Sequence, residues 1–85
     1  MSKIEMYTSD FCPYCVRAKM LLDKKGLRVE EYNIQRDPEL RQEMLQRSNG
    51  ARTVPQIFIN GRLVEGGCDG LYALERKGEL DSWLD

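Results

Sequence analysis

The chain contains no histidine. That removes the commonest general base and the commonest zinc ligand from any chemistry the 85 residues support. Cysteine is scarce too. There are three, an odd number that does not fit the paired framework of a small secreted scaffold. Neither sign of charge is in excess, 13 basic against 14 acidic residues giving −1, so there is no basic footprint for nucleic acid or an anionic membrane. No apolar run approaches the roughly 20 residues of a membrane span, and the Met1-Ser2-Lys3 start lacks a signal-peptide core. Linkers, repeats and low-complexity tracts are missing as well. The expectation is one cytoplasmic, monomeric domain over residues 1–85, with no nucleic-acid or membrane partner and no metal.

What is present is concentrated in Cys12-Pro13-Tyr14-Cys15, between a short apolar run and a helical pattern. Side chains three apart on a helix have Cβ atoms roughly 5–6 Å apart, within modest adjustment of a disulfide. Pro13 suits the first helical position, where its missing N–H is an orphan anyway. Cys12 therefore stands just before the helix, facing its free N–H groups, and Cys15 one turn inside. Cys12 is expected to be the exposed, more acidic attacker and Cys15 the shielded resolver. An unperturbed thiol near 8.5 is only about 3 % thiolate at pH 7, and lowering it to about 5 raises that roughly 30-fold. A Brønsted slope near 0.45 removes a similar factor of nucleophilicity, so the larger gain lies in leaving-group ability. The pattern predicts a catalyst of thiol–disulfide exchange. A four-ligand zinc site is short of donors, with only Cys12, Cys15 and Cys68 available.

Around this motif, residues 4–8 read as a strand, and Pro13 to about Lys25 as a helix closed by Gly26. Val29 to Ile34 is a second strand. Asp37-Pro38 opens a helix with Leu40, Met44 and Leu45 inward, fading by Asn49-Gly50. Gln56 to Ile59 and Arg62 to Glu65 flank Asn60-Gly61, a type I′ hairpin signal. After Gly66-Gly67, Asp69 is expected to cap a third helix through Leu71 and Leu74, ended by Gly78, with Leu80, Trp83 and Leu84 forming a last amphipathic turn. The order βαβ-α-ββ-α requires a parallel first pair with a right-handed crossover and an antiparallel hairpin. An α/β architecture follows, a four-stranded mixed sheet with about three helices on both faces, the Cys12 loop lying beyond the carboxyl end of the first strand.

Three separated motifs, Tyr7-Thr8 running into Cys12-Pro13-Tyr14-Cys15, then Thr53-Val54-Pro55, then Gly66-Gly67-Cys68-Asp69, resemble the glutaredoxins, in particular the small dithiol bacterial type, over essentially the whole chain. The resemblance implies a thioredoxin fold and a glutathione-dependent thiol–disulfide oxidoreductase. It would reduce protein disulfides and protein–glutathione mixed disulfides, with Cys12 and Cys15 catalytic and glutathione as co-substrate. It further implies that Val54-Pro55 is a cis bond facing the dithiol, presenting backbone groups to an extended peptide. By the same resemblance, Gly67, Cys68 and Asp69 clamp the γ-glutamyl end of glutathione, Tyr14 and Thr53 lie along it, and Gln42 contacts its glycine carboxylate, with Arg52 a further cation there. Cys68 itself is expected to be a small buried hydrophobe rather than a reactive thiol. Glutathionylated or disulfide-bearing proteins, ribonucleotide reductase among them, are the implied partners. Many glutaredoxins carry a lysine three residues before the first cysteine; Ser9 stands there, followed by Asp10. The missing cation predicts a weaker hold on the thiolate, with Arg17 or Lys19 compensating from the next turn. Two other readings share the dithiol: a redoxin reduced by thioredoxin reductase, and a carrier of a glutathione-ligated iron–sulfur cluster.

Overall fold

β1 (Ile4–Thr8) is buried along its whole length because it is flanked by a strand on each side and covered on both faces. The computed structural model describes residues 2–84, so Met1 and Asp85, the ends of the expected domain, lie outside the described residues. The other elements are α1 (Pro13–Lys24), β2 (Val29–Asn33), α2 (Pro38–Arg47), β3 (Gln56–Ile59), β4 (Arg62–Leu63) and α3 (Gly67–Arg76), followed by a 3₁₀ turn, Leu80–Trp83. The sheet order is β2-β1-β3-β4. β1 pairs parallel with β2 and antiparallel with β3, with Ile4 opposite both Val29 and Ile59.

Alternation along β1 assigns the two faces. Ile4 and Met6 join Ile57 and Ile59 under α1 and α3, where Ala18, Leu22, Cys68 and Leu71 meet them. Tyr7 and Phe58 point the other way, against Met44 of α2. That second layer is thin, and a polar cluster completes it. Arg47 Nη2 donates to Glu5 Oε1 at 3.0 Å and its Nη1 to Glu5 Oε2 at 3.2 Å, with Tyr32 Oη donating to the same carboxylate. The guanidinium lies 4.1 Å over the Phe58 ring.

Most element ends agree with the expectations, and two do not. β4 stops at Leu63 instead of Glu65, although Val64 N–H still donates to Ile57 C=O at 2.8 Å. Asp69 is not the cap of α3. Gly66 holds that position at φ 88°, and with Gly67 at φ 59° the backbone turns into the helix three residues earlier, leaving Asp69 inside the first turn. At Asn60-Gly61, φ values of 52° and 83° match the type I′ turn.

Candidate active site

Cys12 is the N-cap of α1, and the local sequence explains why. Its extended backbone (φ −108°, ψ 98°) is followed by Pro13 at the first helical position. The Cys12 sulfur accepts from the Cys15 backbone N–H at 3.1 Å, satisfying one of the orphan donors of the first turn. The two cysteines form a disulfide across a Cα–Cα distance of 5.2 Å. Cys12 is half-buried, whereas Cys15 is buried at 6 % exposure. A difference in exposure between the two sulfurs is therefore built into the helix start. Cys12 Sγ also lies 4.0 Å from the carbonyl oxygen of Val54, which ties the dithiol to the loop before β3.

That loop forms one wall of a cleft of about 420 Å³, inside the roughly 300–1,000 Å³ typical of small-molecule sites. Tyr14, Thr53, Val54, Pro55, Gly67, Cys68 and Asp69 all line it. Seven of the eight expected glutathione contacts thus converge, and the Val54-Pro55 bond is cis. Gln42 is the exception, exposed on α2 and absent from the lining; Arg52, also exposed, is absent too. The opposite wall is the start of α3, whose free N–H groups and macrodipole favour an anion, with Asp69 beside them.

Close approach explains two of the glycines. A Cβ on Gly67 would meet the Pro55 carbonyl at 2.9 Å, so only glycine lets α3 start against the cis-proline loop. A Cβ on Gly70 would fall 1.7 Å from the Glu65 carbonyl oxygen. Sequence reasoning did not single out Gly70, nor Gln56 and Ser48, which hold the loop from below. Gln56 Nε2 donates to Thr53 C=O at 2.8 Å, and Ser48 Oγ accepts from Ala51 N–H at 3.1 Å. Ser48 and Gln56 read in the sequence as ordinary polar residues, and only the structure shows them buried beside the loop.

The charges around the dithiol are already engaged. Asp10 accepts from Asn33 Nδ2 at 2.9 Å and pairs with Arg36 at 3.4 Å. Lys19 binds Glu31 at 2.8 Å, so it is not the compensating cation that the sequence offered. Arg17 lies 5.8 Å from the centroids of both Tyr14 and Tyr72, toward the cleft. Burial pushes the Cys68 thiol up, with Arg17 opposing and Asp69 adding to the shift. Cys68 is thus a buried free thiol in the cleft wall at 4 % exposure.

Comparison with known proteins gives a consistent result. The family model described as Glutaredoxin matches residues 4–64. Glutaredoxin 3 of Escherichia coli strain K12 is 50 % identical over 84 residues, covering 99 % of this chain and 99 % of the relative. The solution structure of glutaredoxin from Brucella melitensis is 52 % identical with a TM-score of 0.79, covering 96 % of this chain and 87 % of that one. A crystal structure of a buckwheat glutaredoxin–glutathione complex is 30 % identical with a TM-score of 0.84, covering 98 % and 76 %.

Proposed function

The chain belongs to the glutaredoxin family, a thiol–disulfide oxidoreductase of the thioredoxin fold, and from that premise we propose that residues 1–85 act as one glutathione-dependent domain. Its substrates are protein disulfides and protein–glutathione mixed disulfides, met in the cytoplasm as a monomer. The observation that carries this reading is the N-cap position of Cys12, its sulfur at the mouth of a cleft lined by Val54 and the first turn of α3. The glutathione complex of the buckwheat relative supports the choice of thiol.

The chemistry follows from the two sulfurs. Cys12 thiolate attacks the glutathione sulfur of a mixed disulfide; the protein thiolate leaves with the bonding pair and takes a proton from water. The same Cys15 N–H that now touches the Cys12 sulfur stabilises that thiolate before attack and again when it is expelled. A second glutathione then releases Cys12 as thiolate and carries away glutathione disulfide. With a protein disulfide, Cys15 resolves the intermediate, and two glutathiones reduce the Cys12–Cys15 disulfide. In the cleft, the Val54 backbone pairs with the glutathione backbone, the α3 terminus takes a carboxylate, and Asp69 meets the γ-glutamyl ammonium. Gln42 and Arg52, exposed beyond the lining, are the candidates for the glycine carboxylate at the outer end of the tripeptide.

The test is a glutathione-coupled assay on two substrates. Cys12→Ser should abolish turnover of both a glutathione mixed disulfide and a protein disulfide. Cys15→Ser should keep the first and lose at least about nine-tenths of the second, in line with the resolving role. Equal loss of both in Cys15→Ser, or faster turnover with thioredoxin reductase than with glutathione, would reject the proposal.

A further inference from the structure

Among the described residues, the exposed large hydrophobic side chains are Phe11, Tyr14, Val16 and Met20, and all four surround the dithiol. Phe11 is the extreme case. Its ring is fully exposed, and its backbone sits at φ 56°, a left-handed conformation that a bulky side chain rarely adopts. The fold gains no packing from this ring, and strain of that kind persists at places a protein uses. Val16 and Met20, 58 % and 63 % exposed, continue the apolar surface one and two turns along α1.

These side chains line a second groove of about 770 Å³, running from Phe11 and Cys12 past Val16 and Met20 to Glu31. It shares no lining residue with the cleft assigned to glutathione, and the two depressions border the dithiol from different sides. A glutathionylated protein brings two halves to Cys12. The tripeptide half fills the cleft, so the polypeptide half must cross surface outside it. The groove is acidic as well as apolar, with Asp10, Asp23 and Glu31 in its wall; Lys19, the cation in the lining, pairs with Glu31, and Arg36, outside the lining, pairs with Asp10, leaving a net negative wall.

We propose that this second groove docks the polypeptide half of the substrate, favouring a segment with an apolar side chain beside its cysteine and a lysine or arginine further along. The inference rests on the glutathione reading above and names its substrate class. Apolar contacts with Phe11, Val16 and Met20 hold the segment, and the acidic wall selects its charge. The exchange step is unchanged. Cys12 bonds to the glutathione sulfur, the glutathione–peptide bond breaks, and the peptide thiolate leaves and is protonated by water.

The experiment compares three glutathionylated peptides, apolar-plus-lysine, apolar-plus-glutamate and glycine–serine, with the glutathione mixed disulfide of 2-mercaptoethanol. Wild type should prefer the first peptide, and its advantage over the glutamate peptide should shrink as salt is raised. Val16→Ser/Met20→Ser, and separately Phe11→Asn, which relieves the left-handed strain, should cut kcat/KM for the first peptide about tenfold through KM. Both should turn over the mercaptoethanol disulfide within about twofold of wild type, since neither touches the cleft. Equal rates for the three peptides, or equal losses on the small disulfide, overturn the proposal. So does sedimentation showing a dimer that Met20→Ser dissociates, because a second copy then covers the groove. Failure of the wild type on the small disulfide would instead reject the glutathione reading, and this surface with it.

Discussion

In the proposed mechanism the Cys12 thiolate is left to backbone groups, because the nearby side-chain charges are engaged elsewhere. The lysine that many relatives place before the dithiol is Ser9 in this chain, Lys19 is spent on Glu31, and Arg17 is held between two tyrosine rings. The one adjacent carboxylate, Asp10, is drawn off by Asn33 and Arg36, which limits its opposition to the thiolate. What remains is the terminus of α1 and the Cys15 N–H. Ser9→Lys should therefore make Cys12 more acidic. A unit charge about 8 Å away at an effective dielectric near 40 contributes about 1 kcal/mol, or roughly a fivefold larger thiolate fraction below the midpoint. Iodoacetamide alkylation of the reduced protein against pH reads this directly, as a midpoint displaced to lower pH. An unmoved midpoint would mean that the lysine position does not sense the sulfur. Cys68, buried and with its thiol raised, should stay unmodified throughout the series.

Three chain segments, the starts of α1 and α3 and the loop before β3, converge on one cleft, and each has its own way of being fixed. α1 is fixed locally by cysteine and proline. α3 is fixed by Gly66 and Gly67, whose positive φ values bring its first turn against Pro55. Asp69 lies exposed inside that turn, where the proposed glutathione reading sets its carboxylate against the γ-glutamyl ammonium. Asp69→Asn should raise the KM for glutathione about tenfold, the low end for a charge-assisted contact at an exposed residue, and leave kcat near wild type. A glutathione titration at saturating mixed disulfide reads both parameters, and an unchanged KM removes Asp69 from the clamp. The same comparison shows what was legible in sequence. The α1 and α2 starts and the Asn60-Gly61 turn carry local chemistry, proline at the first position or an αL-tolerant pair, and all three formed where expected. The α3 start was misjudged because Asp69 is a good cap by type, while the decisive contact, Gly67 against Pro55, is twelve residues distant in sequence. The cis bond likewise came from family resemblance and not from local propensity, since only about 5–6 % of X–Pro bonds are cis. Gln42, assigned by its position in the family, lies on the exposed face of α2 and is not among the residues lining the cleft.

The protein is built unevenly about its sheet. Under α1 and α3 the core is apolar throughout, whereas under α2 the buried hydrophobic cluster among the described residues is Tyr7, Met44 and Phe58, and buried Glu5 with Tyr32 and Arg47 closes the layer. Nothing in the local sequence marks this cluster, because Glu5 and Arg47 are 42 residues apart and each reads as an ordinary surface charge. Yet the Glu5 side chain is only 9 % exposed, so the ion pair closes a face of the fold instead of decorating it. Hydrogen bonding from Arg47 is the main cause holding the Glu5 carboxyl below its usual range, with burial opposing and Tyr32 assisting. A carboxylate with a depressed folded pKa adds stability that is fully present above the unfolded value, about 4.3, and is lost as pH falls through the folded value. Urea unfolding followed by circular dichroism should accordingly show stability falling from about pH 5 downward, and Glu5→Gln should flatten that limb. Arg47→Met is the sharper test. It leaves Glu5 buried without its cation, which should cost about 1–3 kcal/mol at pH 7, below the figure for a fully buried pair because Arg47 keeps 27 % of its side chain in water. With the partner gone, the largest cause lowering the Glu5 carboxyl is lost while burial still raises it, so the carboxyl moves up from its depressed position and protonation costs the folded state less. The Arg47→Met deficit should therefore be smaller at pH 4 than at pH 7, while the dithiol, on the other face of the sheet, keeps its activity on a small mixed disulfide. A deficit that stays constant across that range would show that Arg47 acts through its packing on Phe58 and not through the charge of Glu5.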